Sequence, residues 1–303
     1  MIFHYALSDI APYINWLYFF HAWGFEPRYA SVAQVHGCEA CRATWLASFP
    51  MTERAKATEA MQLHKETMRL LHTLTNEGRQ THALVNLYAC NADGDDIILL
   101  DDAGRQQARL AFLRQQQPTD HMPCLCLSDF VRPINDVGQR DTLGVFATAA
   151  DTAIELLYPD DAFMHMLAQT LADRLAEATA EVLHLYVRKT LWGYAPDENL
   201  TIDDLHAERF TGIRPAVGYP SLPDQSLNFD IDDLLHMSQI GITLTESGAM
   251  LPHAAVSGLM MAHPQARYFA VGHIAEDQLN DYARRRQRTP AEMRKFLAHS
   301  ISS

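Results

Sequence analysis

The run His82-Ala83-Leu84-Val85-Asn86-Leu87-Tyr88-Ala89-Cys90 is apolar and strand-like, and the run Asp96-Ile97-Ile98-Leu99-Leu100 follows it closely. Between them lies Asn91-Ala92-Asp93-Gly94-Asp95, a turn-forming stretch with the Asp-Gly pair that suits a hairpin. Antiparallel pairing is therefore expected here. Working outward, Cys124–Val131 and Thr142–Thr148 read as further strands, and Val256–Ala262 and Arg267–Ile274 as two more near the C-terminus. Helical patterns flank them: residues 28–48 and 51–76 before, and 163–190 between the strands. In that third helix Leu167, Leu171, Leu175, Ala178 and Val182 form an apolar stripe. Two closing helices end the chain, the last opening at Thr289-Pro290-Ala291-Glu292, a capping box with proline at the first helical position. No alternating βαβ pattern is present, so the expected class is α+β rather than a doubly wound sheet.

The chain has 303 residues, and its charge balance is 24 − 37 = −13. Nucleic-acid and anionic-membrane partners are excluded on that ground, because phosphate binding needs concentrated Lys and Arg. Five cysteines are too few, and odd in number, for a secreted disulfide scaffold. The apolar run at Trp16–Phe20 has no basic residue before it and ends at His21, so it reads neither as a secretory signal nor as a span. A cytoplasmic location is the expectation.

Few motifs carry chemistry. Cys38-Glu39-Ala40-Cys41 has redox or zinc spacing but falls in an expected helix without a second pair, so packing cysteines and no metal are expected. Cys124 and Cys126 alternate along an expected strand and are not placed to pair. Arg174, Glu177, Glu181, His184 and Arg188 share one face of the long helix, which reads first as a solvated ion-pair face. Residues 192–229 form a long segment of weak periodicity, expected to be functional or disordered. Within it lies Gly212-Ile213-Arg214-Pro215-Ala216-Val217-Gly218-Tyr219-Pro220, where two prolines stiffen the chain and Gly218 allows close backbone approach. Such a loop presents an Arg fork and an aromatic ring, suited to a small zwitterion or to a merely structural turn.

A collinear series of motifs is similar to the activation (reactivation) domain of cobalamin-dependent methionine synthase. It runs through Tyr13-Ile14-Asn15-Trp16, Gly94-Asp95-Asp96-Ile97, Leu113-Arg114-Gln115-Gln116 and Asp129-Phe130-Val131. It continues through Leu171–Ala178, Trp192-Gly193-Tyr194-Ala195-Pro196, the Arg214 loop, Leu244-Thr245-Glu246-Ser247, Val256-Ser257-Gly258, Tyr268-Phe269-Ala270-Val271 and Asp281-Tyr282-Ala283-Arg284-Arg285. The resemblance covers about residues 13–297 and implies one module over 1–303, a bent antiparallel sheet flanked by helices.

It also implies binding of S-adenosylmethionine (SAM) and reductive methylation of cob(II)alamin. The cobalamin is supplied by a partner module of methionine synthase, and the electron by a flavodoxin-like donor. Alternatives are service to another corrinoid methyltransferase, or a docking module with weakened SAM binding. By the resemblance Arg214 holds the SAM carboxylate, and Ala216, Gly218 and Tyr219 fix the ligand beside it. Glu177 faces it, and one of Tyr268 and Phe269 presents its ring. Asn15 stands where the family carries an aspartate for the amino group, and Gly248, Leu251 and His253 depart from a more aromatic, glycine-rich pattern. No catalytic residue is expected on this chain. The candidate lower-ligand stretch Asp204-Leu205-His206-Ala207-Glu208-Arg209 ends in Arg, so the chain is a component that does not complete the cycle alone. Arg284, Arg285, Arg286 and Arg288 form the densest basic run and are the candidate docking patch for an acidic electron donor.

Overall fold

The computed structural model describes residues 1–117, 123–135 and 138–298. Its strands are β1 (Ile2–Ala6), β2 (Gln80–Asp93), β3 (Asp96–Leu100), β4 (Gln106–Ala111), β5 (Asp141–Ala150), β6 (Thr243–Leu244), β7 (Met250–Leu251) and β8 (Ala255–Met260). The helices are α1 (Leu7–Ile10), α2 (Trp16–Ala22), α3 (Glu39–Ala47), α4 (Arg54–Asn76), α5 (Thr152–Glu155), α6 (Ala162–Tyr186), α7 (Ile202–His206), α8 (Leu227–Leu235), α9 (Glu276–Arg285) and α10 (Pro290–Phe296). This is an α+β fold built on a bent antiparallel sheet in the order β4-β3-β2-β5-β8, with β6 and β7 forming a separate pair.

Strand β2 is the spine of the sheet. Ten of its fourteen residues pair along one side with β5, Thr81 opposite Ala150 through Cys90 opposite Asp141. The other side is shared, with β1 on the first half and β3 on the second. The Asp93–Asp96 hairpin matches the expected turn, with Gly94 at φ +60°.

Helix α6 lies across this sheet. Asp161 caps it by accepting the Met164 N–H at 3.0 Å. Its small residues Ala176 and Ala180 let it lie close, so that Thr148 Oγ1 donates to the Ala176 carbonyl at 3.0 Å and Thr179 Oγ1 to Thr81 Oγ1 at 2.7 Å. Ala83, Val85 and Phe146 fill the space beneath Leu183 and Val187, while Leu84 and Val145 turn to the opposite face against Ile231 and Leu235 of α8. Among the described residues no helix is long and apolar enough to cross a membrane.

Several expectations are corrected. The 28–48 helix is broken: a 3-10 segment Pro27–Gln34 ends before α3, so Cys38 and Cys41 lie at a helix start facing solvent rather than packed in a core. Cys124–Val131 is not a strand. Leu127–Phe130 is a 3-10 turn, held because Asp129 Oδ2 accepts the Cys126 N–H at 2.8 Å and both Asp129 oxygens take the Arg114 guanidinium. Arg267–Ile274 is extended but joins no sheet. The 192–229 segment carries α7 and the start of α8. Strands β1 and β4 were not expected.

Candidate functional site

Helix α6 ends in a π turn, Val187–Leu191, where the Trp192 N–H reaches back to the Val187 carbonyl at 2.9 Å. The extra residue turns the chain so that segment 194–211 folds back along α6. Arg188, fully buried, pairs with Glu198 at 2.7 Å and stacks on Phe210 with its guanidinium carbon 4.5 Å from the ring centre. The His184 ring meets Phe210 edge-on, and burial first, then Arg188, holds His184 well below the ordinary imidazole range. The face expected to be solvated is therefore covered at its C-terminal end.

Further back on the same face, Arg174, Glu177, Ala178 and Glu181 line a cavity of about 640 Å³. Its other walls come from Tyr13, Asn15 and Tyr18 near α2, from His206 and Glu208 beside α7, from the Arg214 loop, and from Tyr268 and Phe269. His206 Nε2 lies 3.0 Å from the Tyr13 carbonyl and ties two of these walls together.

The Arg214 loop is positioned by the sheet edge. Ile213 and Met261 exchange backbone hydrogen bonds at 2.9 and 3.0 Å, the Leu259 N–H donates to the Pro215 carbonyl at 3.0 Å, and the Val217 N–H donates to Ser257 at 2.9 Å. Residues 213–217 thus run beside β8 almost as an added strand, with the Ile213 and Pro215 carbonyls taken up by Met261 and Leu259. Gly258 makes this possible: a Cβ there would lie 2.2 Å from the Pro215 oxygen and 2.9 Å from the Ala216 Cα.

The side chain of Arg214 points into the cavity and pairs with Glu181. Burial opposes its charge, but Glu181 and other nearby groups more than compensate and raise its pKa. Its backbone N–H donates to the Tyr268 hydroxyl at 2.9 Å. Tyr219 Oη donates to Glu177 Oε1 at 3.0 Å, and Arg174 Nη1 to Glu177 Oε2 at 2.9 Å. Burial first, then Glu177, pushes Tyr219 up to about 12, so it stays a donor at neutral pH. Arg214 Nε, Arg174 Nε and Glu181 Oε2 are buried without a hydrogen-bond partner. Groups of both signs, with unspent donors and an unspent acceptor, suit a compact zwitterion flanked by aromatic rings.

Residues 6–287 match the family described as vitamin B12 dependent methionine synthase, activation domain. The chain belongs to this family. It is also similar to a crystal structure described as the MetH reactivation domain bound to AdoHcy, at 34% identity and a TM-score of 0.86, covering 100% of this chain and 90% of that one.

In this activation domain, seven of the eight residues singled out in the sequence line one cavity: Asn15, Glu177, Arg214, Ala216, Tyr219, Tyr268 and Phe269. Gly218 does not. Its φ of +88° builds the turn in which its N–H donates to Leu222 and Tyr219 is swung onto the cavity, so its contribution is conformational. Both Tyr268 and Phe269 reach the lining because that segment is extended without belonging to a strand. Asn15 Oδ1 caps α2, accepting the Leu17 N–H at 3.1 Å. Gly248, Leu251 and His253 are not among the lining residues. Glu181 is the main omission, though its spacing four residues after Glu177 put both on one face. Glu208 and Tyr18 carried no such signal, because contacts between distant segments bring them in.

The basic run is corrected. Arg285 pairs with Asp96 and Asp281 and donates to the Phe112 carbonyl at 2.9 Å. Arg286 lies 2.6 Å from Asp230 and 3.6 Å from Asp224 with its side chain 5% exposed. Arg288 rests against Phe229 and Phe296. Of the four, Arg284 is the strongly exposed one, at 75%, and it pairs with Asp281. Arg285, Arg286 and Arg288 pack against the body while Arg284 pairs within α9, so the four do not form an open cationic patch.

Proposed function

We propose that this chain binds SAM in the cavity beside α6 and presents it to a cobalamin held by a partner module of methionine synthase. A cob(II)alamin that has received one electron is thereby returned to methylcobalamin. The observation that carries this reading is the set of buried, unpartnered polar atoms on Arg214, Arg174 and Glu181 around one cavity of about 640 Å³, in a chain of the activation-domain family. The similar reactivation domain bound to AdoHcy, the demethylated form of SAM, supports the same ligand class.

SAM, when bound, supplies an electrophilic methyl group, and the residues of this chain only position it. Arg214 is the carboxylate partner, its guanidinium offering Nε as well as the edge now shared with Glu181. Glu181 Oε2 is the unpartnered acceptor open to the amino group, with Glu177 and Asn15, whose oxygens also accept from Tyr219, Arg174 and the Leu17 N–H, beside it. Tyr219, Tyr268 and Phe269 place aromatic surface near the sulfonium, worth about 0.5–2 kcal/mol for a close ring. The electron donor is proposed to be flavodoxin-like, and a cytoplasmic location fits five free cysteines. Donor docking through Arg285 and Arg286 forms no part of the proposal, since both are spent on internal ion pairs.

Two measurements test the reading. Calorimetric titration with SAM and AdoHcy gives one site per chain, and Arg214→Ala weakens it at least a hundredfold. Mixing the chain with cob(II)alamin-loaded methionine synthase lacking this domain, a reductant and methyl-labelled SAM then moves label to cobalamin. Absence of SAM binding refutes the ligand; binding without transfer to this partner refutes the methionine synthase assignment.

A further inference from the structure

We infer that His36, Cys38 and Cys41 form a three-ligand site for a thiophilic d10 cation, with Zn²⁺ as its probe, at the start of α3. A side-chain nitrogen and two sulfurs from these residues lie within 4.8 Å of one another. Two sulfurs on a tetrahedral zinc, each about 2.3 Å from the metal, stand about 3.8 Å apart, so small rotamer changes close the site.

The sequence His36-Gly37-Cys38-Glu39-Ala40-Cys41 explains the convergence. The 3-10 segment stops at Gln34, and the chain turns before α3 begins. Cys38 occupies the N-cap with extended backbone, and Cys41 follows three residues later, which brings both sulfurs to the same end of the helix. Cys38 Sγ accepts the Cys41 N–H at 3.3 Å, a bond that favours thiolate. The Cys38 N–H donates to His36 Nδ1 at 3.3 Å and keeps the ring beside the sulfurs.

Cys38 and His36 are exposed and Cys41 half-buried, so a fourth position faces solvent and takes water or an exogenous donor. Gly37 and Arg42, which flank the cysteines, also line a separate cavity of about 630 Å³ against α4. That cavity shares no lining residue with the one beside α6. Metal binding is therefore readable independently of SAM binding.

The experiment uses the full chain, reduced and freed of metal, titrated with Zn²⁺ against a chromophoric chelator and, in parallel, with Co²⁺ followed by its thiolate charge-transfer absorption. One equivalent is expected. Cys38→Ser or Cys41→Ser should weaken it at least a hundredfold, and His36→Ala about tenfold. SAM affinity by calorimetry should be unchanged in all three. Fifteen histidines give the chain other places to hold zinc, so the cysteine dependence decides. The proposal is overturned if the Cys38→Ser/Cys41→Ser double variant binds as tightly as wild type, if the Co²⁺ complex lacks the thiolate band, or if the reduced protein binds no metal.

Discussion

Asn15 does two things at once. Its Oδ1 caps α2 through the Leu17 N–H, and the same side chain lines the cavity. An amide accepts hydrogen bonds but carries no charge, and charged partners are worth about 1 kcal/mol more than neutral ones. Asn15→Asp should therefore tighten SAM roughly five- to tenfold by calorimetry while keeping the cap, and raise Tm slightly because a carboxylate suits a helix N-terminus. Unchanged or weaker binding would remove Asn15 from the amino-group site. One turn before Glu177, Asp173 illustrates a different cost. Burial first, with Glu155 and Glu177 adding to it and Arg174 opposing, pushes its carboxyl up to about 6 against an ordinary value near 3.9. A raised pKa means the folded state holds the proton more tightly, so the stabilisation is complete below about pH 4 and lost as pH rises through about 6. Asp173→Asn should thus be more stable than wild type at pH 7.5, by on the order of 1 kcal/mol after solvent screening, and equal to it near pH 4. Urea unfolding at the two pH values checks the sign.

At the scale of elements, the site depends on a segment that is not itself a strand. Residues 213–217 lie on β8 because Gly258 has no Cβ, and the 2.2 Å approach to the Pro215 oxygen leaves no room for one. Gly258→Ala should push the Arg214 loop off the edge, cost about 1–3 kcal/mol in urea unfolding, and weaken SAM at least tenfold. A variant that loses stability yet binds SAM normally would show that the β8 contact does not position Arg214. This dependence was only partly legible. The β2–β3 hairpin, α6 and the α10 capping box could be read because each is local: a turn, a 3.6-residue stripe, a Thr289–Glu292 pair that exchanges bonds at 2.7 and 3.2 Å. Strand β4 could not, since Gln106-Gln107-Ala108-Arg109 lacks alternation and sits at the sheet edge. Arg267–Ile274 has strand composition but no ladder; among its backbone ties are the Val271 N–H to Pro220 at 2.9 Å and the Ala270 carbonyl to Gln115 Nε2 at 2.8 Å. Composition does not say where a partner will be. Seven cavity residues were nevertheless named from the sequence, chiefly through the collinear motifs that carry them.

For the whole molecule, many of the same motifs prove architectural. Arg114 joins Asp95 and Asp129 at 2.7 Å each, bringing three separated motifs to one point, and Gln116 receives the Ala275 N–H at the start of α9. Tyr282 Oη donates to buried Asp224 at 2.7 Å, and Arg286 closes that network through Ser226 Oγ at 3.0 Å and Asp230. Arg285 at the end of α9 and Arg286 just after it are thus the counter-charges that let Asp96 and Asp224 be buried in a chain of net charge −13. That role separates them from donor docking by experiment. Arg286→Ala would leave Asp224 and Asp230 short of a cation, one of them deeply buried, and should cost about 3–5 kcal/mol in urea unfolding. Arg284→Ala, removing an exposed pair, should cost no more than about 1 kcal/mol. If α9 serves only to hold the fold, reactivation per folded molecule and its salt dependence with a flavodoxin donor stay unchanged in both variants. A folded Arg286→Ala protein of wild-type stability that lost donor-driven reactivation would return the basic run to the surface and overturn the ion-pair account.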